Sequence, residues 1–423
     1  MLQRANHLFL TTDDADTVAA VDAVDAALLR YGKDVGDYLH SPGPTSDCAY
    51  ALATAAAIHL FALTAPGRAL AMPLVAAAER LATAATAHEQ AYVSGIAAWS
   101  RGDIGKAIAA HVEIARRWPR DLLSAKILQF HQLNTGDFAG MLTALDGIVR
   151  AQPDIGFVHG MRAFALEQAG DLRAAESAGR KAMAMGHDPW AHHAVAHVLD
   201  TEGRAREGRA WADRFGESWA GCSSFLYTHN WWHAALFELQ LGDHDAALDL
   251  FDTRIWGVRP GSVQDQVNAV SLLARLEVAG VCTGDRWAAM APHLEQRIAD
   301  RANPFVDLHL AYGLARAGAD GAVTLLLGGL AEQARSDRRI DIAAARAATG
   351  MVAHARRHYA TAAEHLDSAL VDSIGFGGSH TQRRLLDILA ADARARASDW
   401  GHVVAGPWPK RAPQPADRLS CAS

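Results

Sequence analysis

Apolar residues recur at three- and four-residue spacing along most of this chain. Between Thr12 and about Leu39 they fall at Val18, Val21, Val24, Ala27 and Leu28, with Thr11, Thr12, Asp13 and Asp14 ahead of them as cap candidates. The spacing predicts a helix, ended by Ser41-Pro42-Gly43-Pro44. A second helix, opened by Ser46 or Asp47, is expected to run to Thr64 before Pro66-Gly67, and a third to cover roughly Met72 to Thr86.

From Tyr92 the pattern becomes periodic. Gly-Asp occurs at Gly102-Asp103, Gly136-Asp137 and Gly170-Asp171, each 34 residues from the last; Gly203-Arg204 follows 33 later and Gly242-Asp243 another 39 later. Ile104, Phe138 and Leu172 follow the first three glycines, Ala107, Met141 and Ala175 come three further on, and Pro119, Pro153 and Pro189 close the units. These residues resemble tetratricopeptide repeats, helix–turn–helix units of that length. Glycine supplies the left-handed turn, and small residues let paired helices approach closely.

After Trp256 the period degrades while helical pairs continue. They are predicted at about Val263 to Val281, Asp285 to Ala299, Asn303 to Ala317, Asp320 to Arg335, Asp341 to Arg357, Ala360 to Ser373 and Ser379 to Ser398, with Gly318 as a further turn glycine. Pro407, Pro409, Pro413 and Pro415 mark Ala405 to Ser423 as a mostly disordered tail. The expected architecture is all-α: a right-handed α-solenoid of tetratricopeptide-like repeats, closed by its C-terminal helices over a pocket. Residues 1–88 form N-terminal hairpins, 89–256 the repeats, 257–400 divergent helical repeats and 401–423 the Pro-rich tail.

Composition narrows the function. Half of the 423 residues are apolar, enough for a long repeat array, and the net charge of −7 with no basic block argues against nucleic acid as a partner. Cys48, Cys222, Cys282 and Cys421 are scattered without metal-ligand spacing, which fits a reducing, cytoplasmic location. Met1 to Thr12 lacks the apolar core of an export signal. The apolar run from Cys48 to Ala65 contains His59 and reads as a buried helix, so no membrane association is expected. A small-molecule ligand is the expected partner, with a homodimer left open. Histidine is the anomaly: 21 copies, roughly twice ordinary usage.

Measured from the repeat glycines, several histidines share one phase. His193 and His197 lie ten and six residues before Gly203, His229 and His233 thirteen and nine before Gly242, and His309 nine before Gly318. Offsets of thirteen, ten, nine and six describe one helical face, the face that lines the groove of such repeats. Glu167 and Asp200 continue that line, with Glu202, Glu238 and Asp307 close by. One His-x-x-x-His in an Ala-rich helix is usually a buried, hydrogen-bonded pair. Two pairs on neighbouring helices in one phase point to a site, because His at i and i+4 offers two nitrogens to one metal and a nearby carboxylate can ligate or orient them. His193, His197, His229, His233 and Asp200 are therefore the candidate ligands of a divalent metal, zinc or similar. Without a metal, the same imidazoles and His309 would serve as general acids and bases. His192, on an adjacent face, reads as structural. Trp190, Trp211, Trp219, Phe225, Tyr227, Trp231 and Trp232 read mainly as core. Gly377-Gly378-Ser379-His380, followed by Gln382 and Arg383, leads into a helix and suits either an N-cap or anion binding. No G-x-S-x-G, Walker loop or H-E-x-x-H is present.

The words AHHAVAHVLDTEGRAREGRAW, HNWWHAALFELQLGDHDAALDLFD, DLHLAYGLARAG and GGSHTQRR together resemble the family of tetratricopeptide repeat protein 38, over about Thr12 to Leu389. The resemblance implies the helical-repeat fold and places His193, His197, Asn230, His233, His309, Ser379, His380, Gln382 and Arg383 on the family's characteristic words. The expected function is an enzyme that cleaves a small polar metabolite by hydrolysis or other acid/base chemistry, with Glu167, Asn230, Ser379, His380 and Arg383 contacting substrate. Two alternatives carry no turnover: a ligand sensor, or a peptide-binding adaptor with an open groove and mutually unconnected histidines.

Overall fold

The computed structural model describes residues 1–301 and 303–405; the expected Pro-rich tail lies almost wholly outside them. The chain divides into two units, Met1–Asn268 and Ala269–Ser423. The first holds α1 (Ala15–Leu29), α2 (Ala49–Phe61), α3 (Ala65–Ala82), α4 (Ala87–Ser100), α5 (Ile104–Arg117), α6 (Leu122–Thr135), α7 (Phe138–Ala151), α8 (Gly156–Gln168), α9 (Leu172–Met185), α10 (Pro189–Thr201), α11 (Ala205–Phe215), α12 (Ser224–Leu241) and α13 (His244–Leu250). The helix α14 (Val263–Val278) runs across the division. The second unit continues with α15 (Arg286–Glu295), α16 (Pro304–Arg316), α17 (Asp320–Ala334), α18 (Arg339–Ala355), α19 (Tyr359–Leu370) and α20 (His380–Ala405). No described helix is long and apolar enough to cross a membrane.

The Gly-Asp period has a physical cause. Gly102, Gly136, Gly170, Gly203, Gly242 and Gly318 all adopt positive φ, between 68° and 88°. The residue after each glycine returns its N–H five residues back, as from Asp137 to the Gln132 carbonyl at 2.9 Å, which closes the helix end. The aspartates then cap the next helix: Asp103, Asp137, Asp171 and Asp243 accept from the N–H of Lys106, Gly140, Ala174 and Ala246. Arg204 cannot cap, and pairs instead with Glu176, Glu202 and Glu207 at 2.7 to 2.8 Å. Ala107, Met141 and Ala175 are buried where sequence spacing placed them.

Helices pack on their sequence neighbours as hairpins, and the first helices of successive hairpins also touch, α8 on α10 and α10 on α12. This is the all-α, paired-helix arrangement of tetratricopeptide repeats, and it aligns one face of α8, α10 and α12.

Three local expectations need correction. The first helix stops at Leu29, because Tyr31 turns left-handed at φ 53° and its ring stacks on Trp190 at 4.8 Å. Pro66 opens a helix rather than separating two: Thr64 caps α3 through the Gly67 N–H, and a first-turn proline has no amide bond to lose. Pro189 likewise begins α10. Leu2–Gln3 and Phe9–Leu10 form a small antiparallel ribbon that hydrophobic spacing did not reveal. Arg4 ties it to α1 through Asp22 and Asp25.

Candidate metal centre

A helical turn separates His193 from His197 on α10 and His229 from His233 on α12, so each pair stacks along one face. Contact between α10 and α12 then sets the pairs against each other. One ring nitrogen from each of the four lies within 4.8 Å of all the others, and no ring is more than 2 % exposed. The Nε2 atoms of His193 and His197 are 3.0 Å apart. Nitrogens on a tetrahedral ion at about 2.0–2.1 Å would be separated by roughly 3.3 Å. His193 and His197 are hydrogen-bonded to each other at 3.0 Å, and the remaining pairs of nitrogens lie within 4.8 Å, so an ion would have to replace that bond and draw the rings together.

An outer hydrogen bond fixes one of the rings, and a carboxylate lies near a second. Glu167, from α8, sets Oε1 3.4 Å from His197 Nδ1, while its Oε2 accepts from Gln168 at 2.6 Å. His229 Nδ1–H donates to Asn268 Oδ1 at 2.8 Å, and Asn268 in turn donates to Thr228 Oγ1. With its Nδ1–H engaged, His229 carries the lone pair on Nε2, the arrangement that second-shell partners give metal-binding histidines. His193 differs, since its Nδ1 is buried without a hydrogen-bond partner. Trp190 lies against His193 at 4.4 Å, and Trp232 stacks on His229 at 5.2 Å. Burial holds His193 well below the ordinary histidine pKa, helped by His197 and His229. Burial also pulls His229 down to about 3, against its bond to Asn268. Both are neutral at pH 7, the form that ligates metal.

The remaining candidates are distributed differently. Asp200 stands outside the four-ring group and accepts from Gln240 Nε2. Glu238 pairs with Arg209. Asn230 is buried with neither amide atom hydrogen-bonded. His192 accepts from Trp219 at 3.2 Å and stacks on Phe215 at 4.3 Å.

In the second unit, His309 Nδ1–H donates to the Phe305 carbonyl, and burial lowers its pKa to about 4. His309 and Arg383 border a cavity of about 10 Å³, room for one water. Ser379 and Gln382 form a reciprocal cap, the Ser379 N–H donating to Gln382 Oε1 at 2.9 Å and the Gln382 N–H to Ser379 Oγ at 3.3 Å. Arg383 folds back onto the Gly378 carbonyl, and His380 begins α20, partly exposed. The Ser379 N–H of the glycine turn and the Gln382 N–H in the first turn of α20 are thus used within the cap.

Sequence spacing missed Asn268, which comes 39 residues after His229 and carries no ligand signature. It also missed Lys126, buried 3.7 Å from the centre of the Tyr31 ring and beside Trp190. Burial lowers the Lys126 pKa and raises that of Asp188, whose Oδ2 has no partner. Lys126 is the one lysine or arginine in the Leu122–Thr135 helix, which was the available signal.

No family model matches the chain. Among solved structures it is similar to the human IFIT1 dimer with PPP-AAAA, at 14% identity over 93% of this chain and 96% of that one, with a TM-score of 0.43. The P58(IPK) TPR domain is similar at 12% identity over 74% of this chain and 99% of that one, TM-score 0.24. A chain of Naa15/Naa10 bound to HypK-THB is similar at 14% identity over 90% and 63%, TM-score 0.26. The turn glycines, paired helices and four buried rings describe a tetratricopeptide-like helical-repeat protein with a histidine cluster.

Proposed function

We propose that the chain is a metalloprotein holding one divalent transition-metal ion, zinc or a first-row neighbour, on His193, His197, His229 and His233. The observation that carries this reading is the convergence of one nitrogen from each of four buried rings within 4.8 Å. Packing four imidazoles together leaves polar nitrogens away from water, an unfavourable arrangement that a shared ion would reverse. Neutral imidazoles suit zinc, copper, nickel and iron(II). Four protein ligands fill a tetrahedral site, as in structural centres.

One observation favours catalysis as a second reading. His193 Nδ1 has no hydrogen-bond partner, whereas His229 Nδ1 is bonded to Asn268. Release of His193 would open a position for water and support hydrolytic cleavage of a small polar metabolite. The adaptor reading called for unconnected histidines, whereas these rings touch, with His197 and His233 4.4 Å apart.

Elemental analysis of the purified parent beside a His193→Ala, His233→Ala variant tests the proposal. Stoichiometric metal in the parent and none in an equally helical variant is expected. A folded parent that takes up no metal after incubation with zinc, copper, nickel or iron(II) would remove the ligand assignment.

A further inference from the structure

Within the second unit, the ends of α16 and α18, the start of α19 and part of α20 border a cavity of about 480 Å³. That volume is in the range of small-molecule sites. Trp287, Tyr312 and Tyr359 supply aromatic walls. Most charges in it are already matched: Arg316 holds Glu277 at 2.8 and 2.6 Å, and Arg396 holds Asp392 at 2.9 and 2.8 Å. His354 Nε2–H donates to Asp392 at 2.9 Å, and burial keeps that ring below its ordinary pKa.

Two lining charges, Arg357 and Asp285, stand exposed at the cavity's mouth without an ion pair among the described residues, and they are opposite in sign. Arg357 has a second peculiarity. Its N–H donates to the His354 carbonyl and the following His358 N–H to the Ala353 carbonyl, both at 2.8 Å, with φ at +63°. This is the helix-ending turn in which Gly102, Gly136, Gly170, Gly203, Gly242 and Gly318 stand elsewhere in the chain. An L-residue is strained there. Glycine stands at this turn elsewhere, yet here the chain places a guanidinium on the cavity rim, one of six non-glycine residues at positive φ among the described residues.

We propose that this cavity is a binding site for a small zwitterion of the amino-acid type with an aromatic or apolar body. Arg357 takes the anionic group, Asp285 the ammonium, and Trp287, Tyr312 and Tyr359 the body. The paired charges add no net charge of their own.

The probe is L-phenylalanine, titrated calorimetrically beside 3-phenylpropionate and 2-phenylethylamine, each of which keeps one of its charges. The variants are Arg357→Gly, which relieves the backbone, and Asp285→Asn, whose carboxylate makes no cap bond. Phenylalanine should bind the parent more tightly than either counterpart. Arg357→Gly should weaken phenylalanine at least about tenfold, spare 2-phenylethylamine and leave the melting temperature equal or higher. Asp285→Asn should show the converse preference. Absence of phenylalanine binding to the parent at millimolar concentration, or equal binding to Arg357→Gly, would overturn the assignment.

Discussion

Glu167 Oε1 lies 3.4 Å from the Nδ1 atom of His197, and both side chains are sealed from solvent. The contact is electrostatic and not a hydrogen bond; a carboxylate there favours a proton on Nδ1, which leaves the Nε2 lone pair for a ligand role. Glu167→Gln preserves the shape and removes the charge. Zinc affinity, read by competition with a chromogenic chelator, should fall about 10–100-fold while helicity is unchanged. Unchanged affinity would mean that Glu167 does not orient a ligand.

Asn268 holds His229 by a direct hydrogen bond, through an amide that bridges His229 Nδ1 and Thr228 Oγ1. In Asn268→Ala the His229 Nδ1–H loses its acceptor in a buried site, costing about 1–3 kcal/mol of stability. Urea unfolding of the metal-free protein should show that loss, and zinc affinity should fall as well. A variant with parental stability and affinity would make the amide incidental.

The turn chemistry of the first unit was legible because it is local. Gly136 and Asp137 close one helix and cap the next with bonds spanning five residues or fewer, so residue identity alone predicts the element. The two histidine pairs were legible for the same reason, each lying within one helical turn. Tertiary effects were not. Tyr31 ends α1 early because of a ring 159 positions away, and Asn268 reaches His229 across two chain segments. A glycine-based ruler also passes over the turn at Arg357, where the conformation survives without the glycine.

Depressed histidine pKa values make the metal-free fold sensitive to acid. His229, held near 3 by burial, stays neutral in the folded chain while its unfolded counterpart protonates below about 6.5. His193 is displaced in the same direction. The unfolded state therefore binds more protons between these limits, and stability falls as pH drops from about 6.5 toward 3, by on the order of 1 kcal/mol per pH unit for each such ring. Chelator-treated protein should melt at a lower temperature at pH 5 than at pH 7.5, and His193→Phe, His229→Phe should flatten the slope. An equally steep profile in that variant would place the sensitivity elsewhere, for example at His131, also lowered to about 3 by burial.

Gly208 keeps α11 close to the helix that carries His229 and His233. A Cβ there would stand 2.5 Å from three ring atoms of Phe237, itself 1 % exposed on α12 and enclosed by its neighbours. Alanine would gain about 1 kcal/mol of helix propensity. Overpacking of a buried ring costs typically about 1–3 kcal/mol, and three simultaneous contacts put this case at the upper end. Gly208→Ala should therefore destabilise, and shrinking the opposing ring should relieve it. A double-mutant cycle with Phe237→Leu should give a favourable coupling of at least about 1 kcal/mol. Zero coupling would mean that α11 moves away as a whole, and the double variant would then recover neither stability nor zinc affinity.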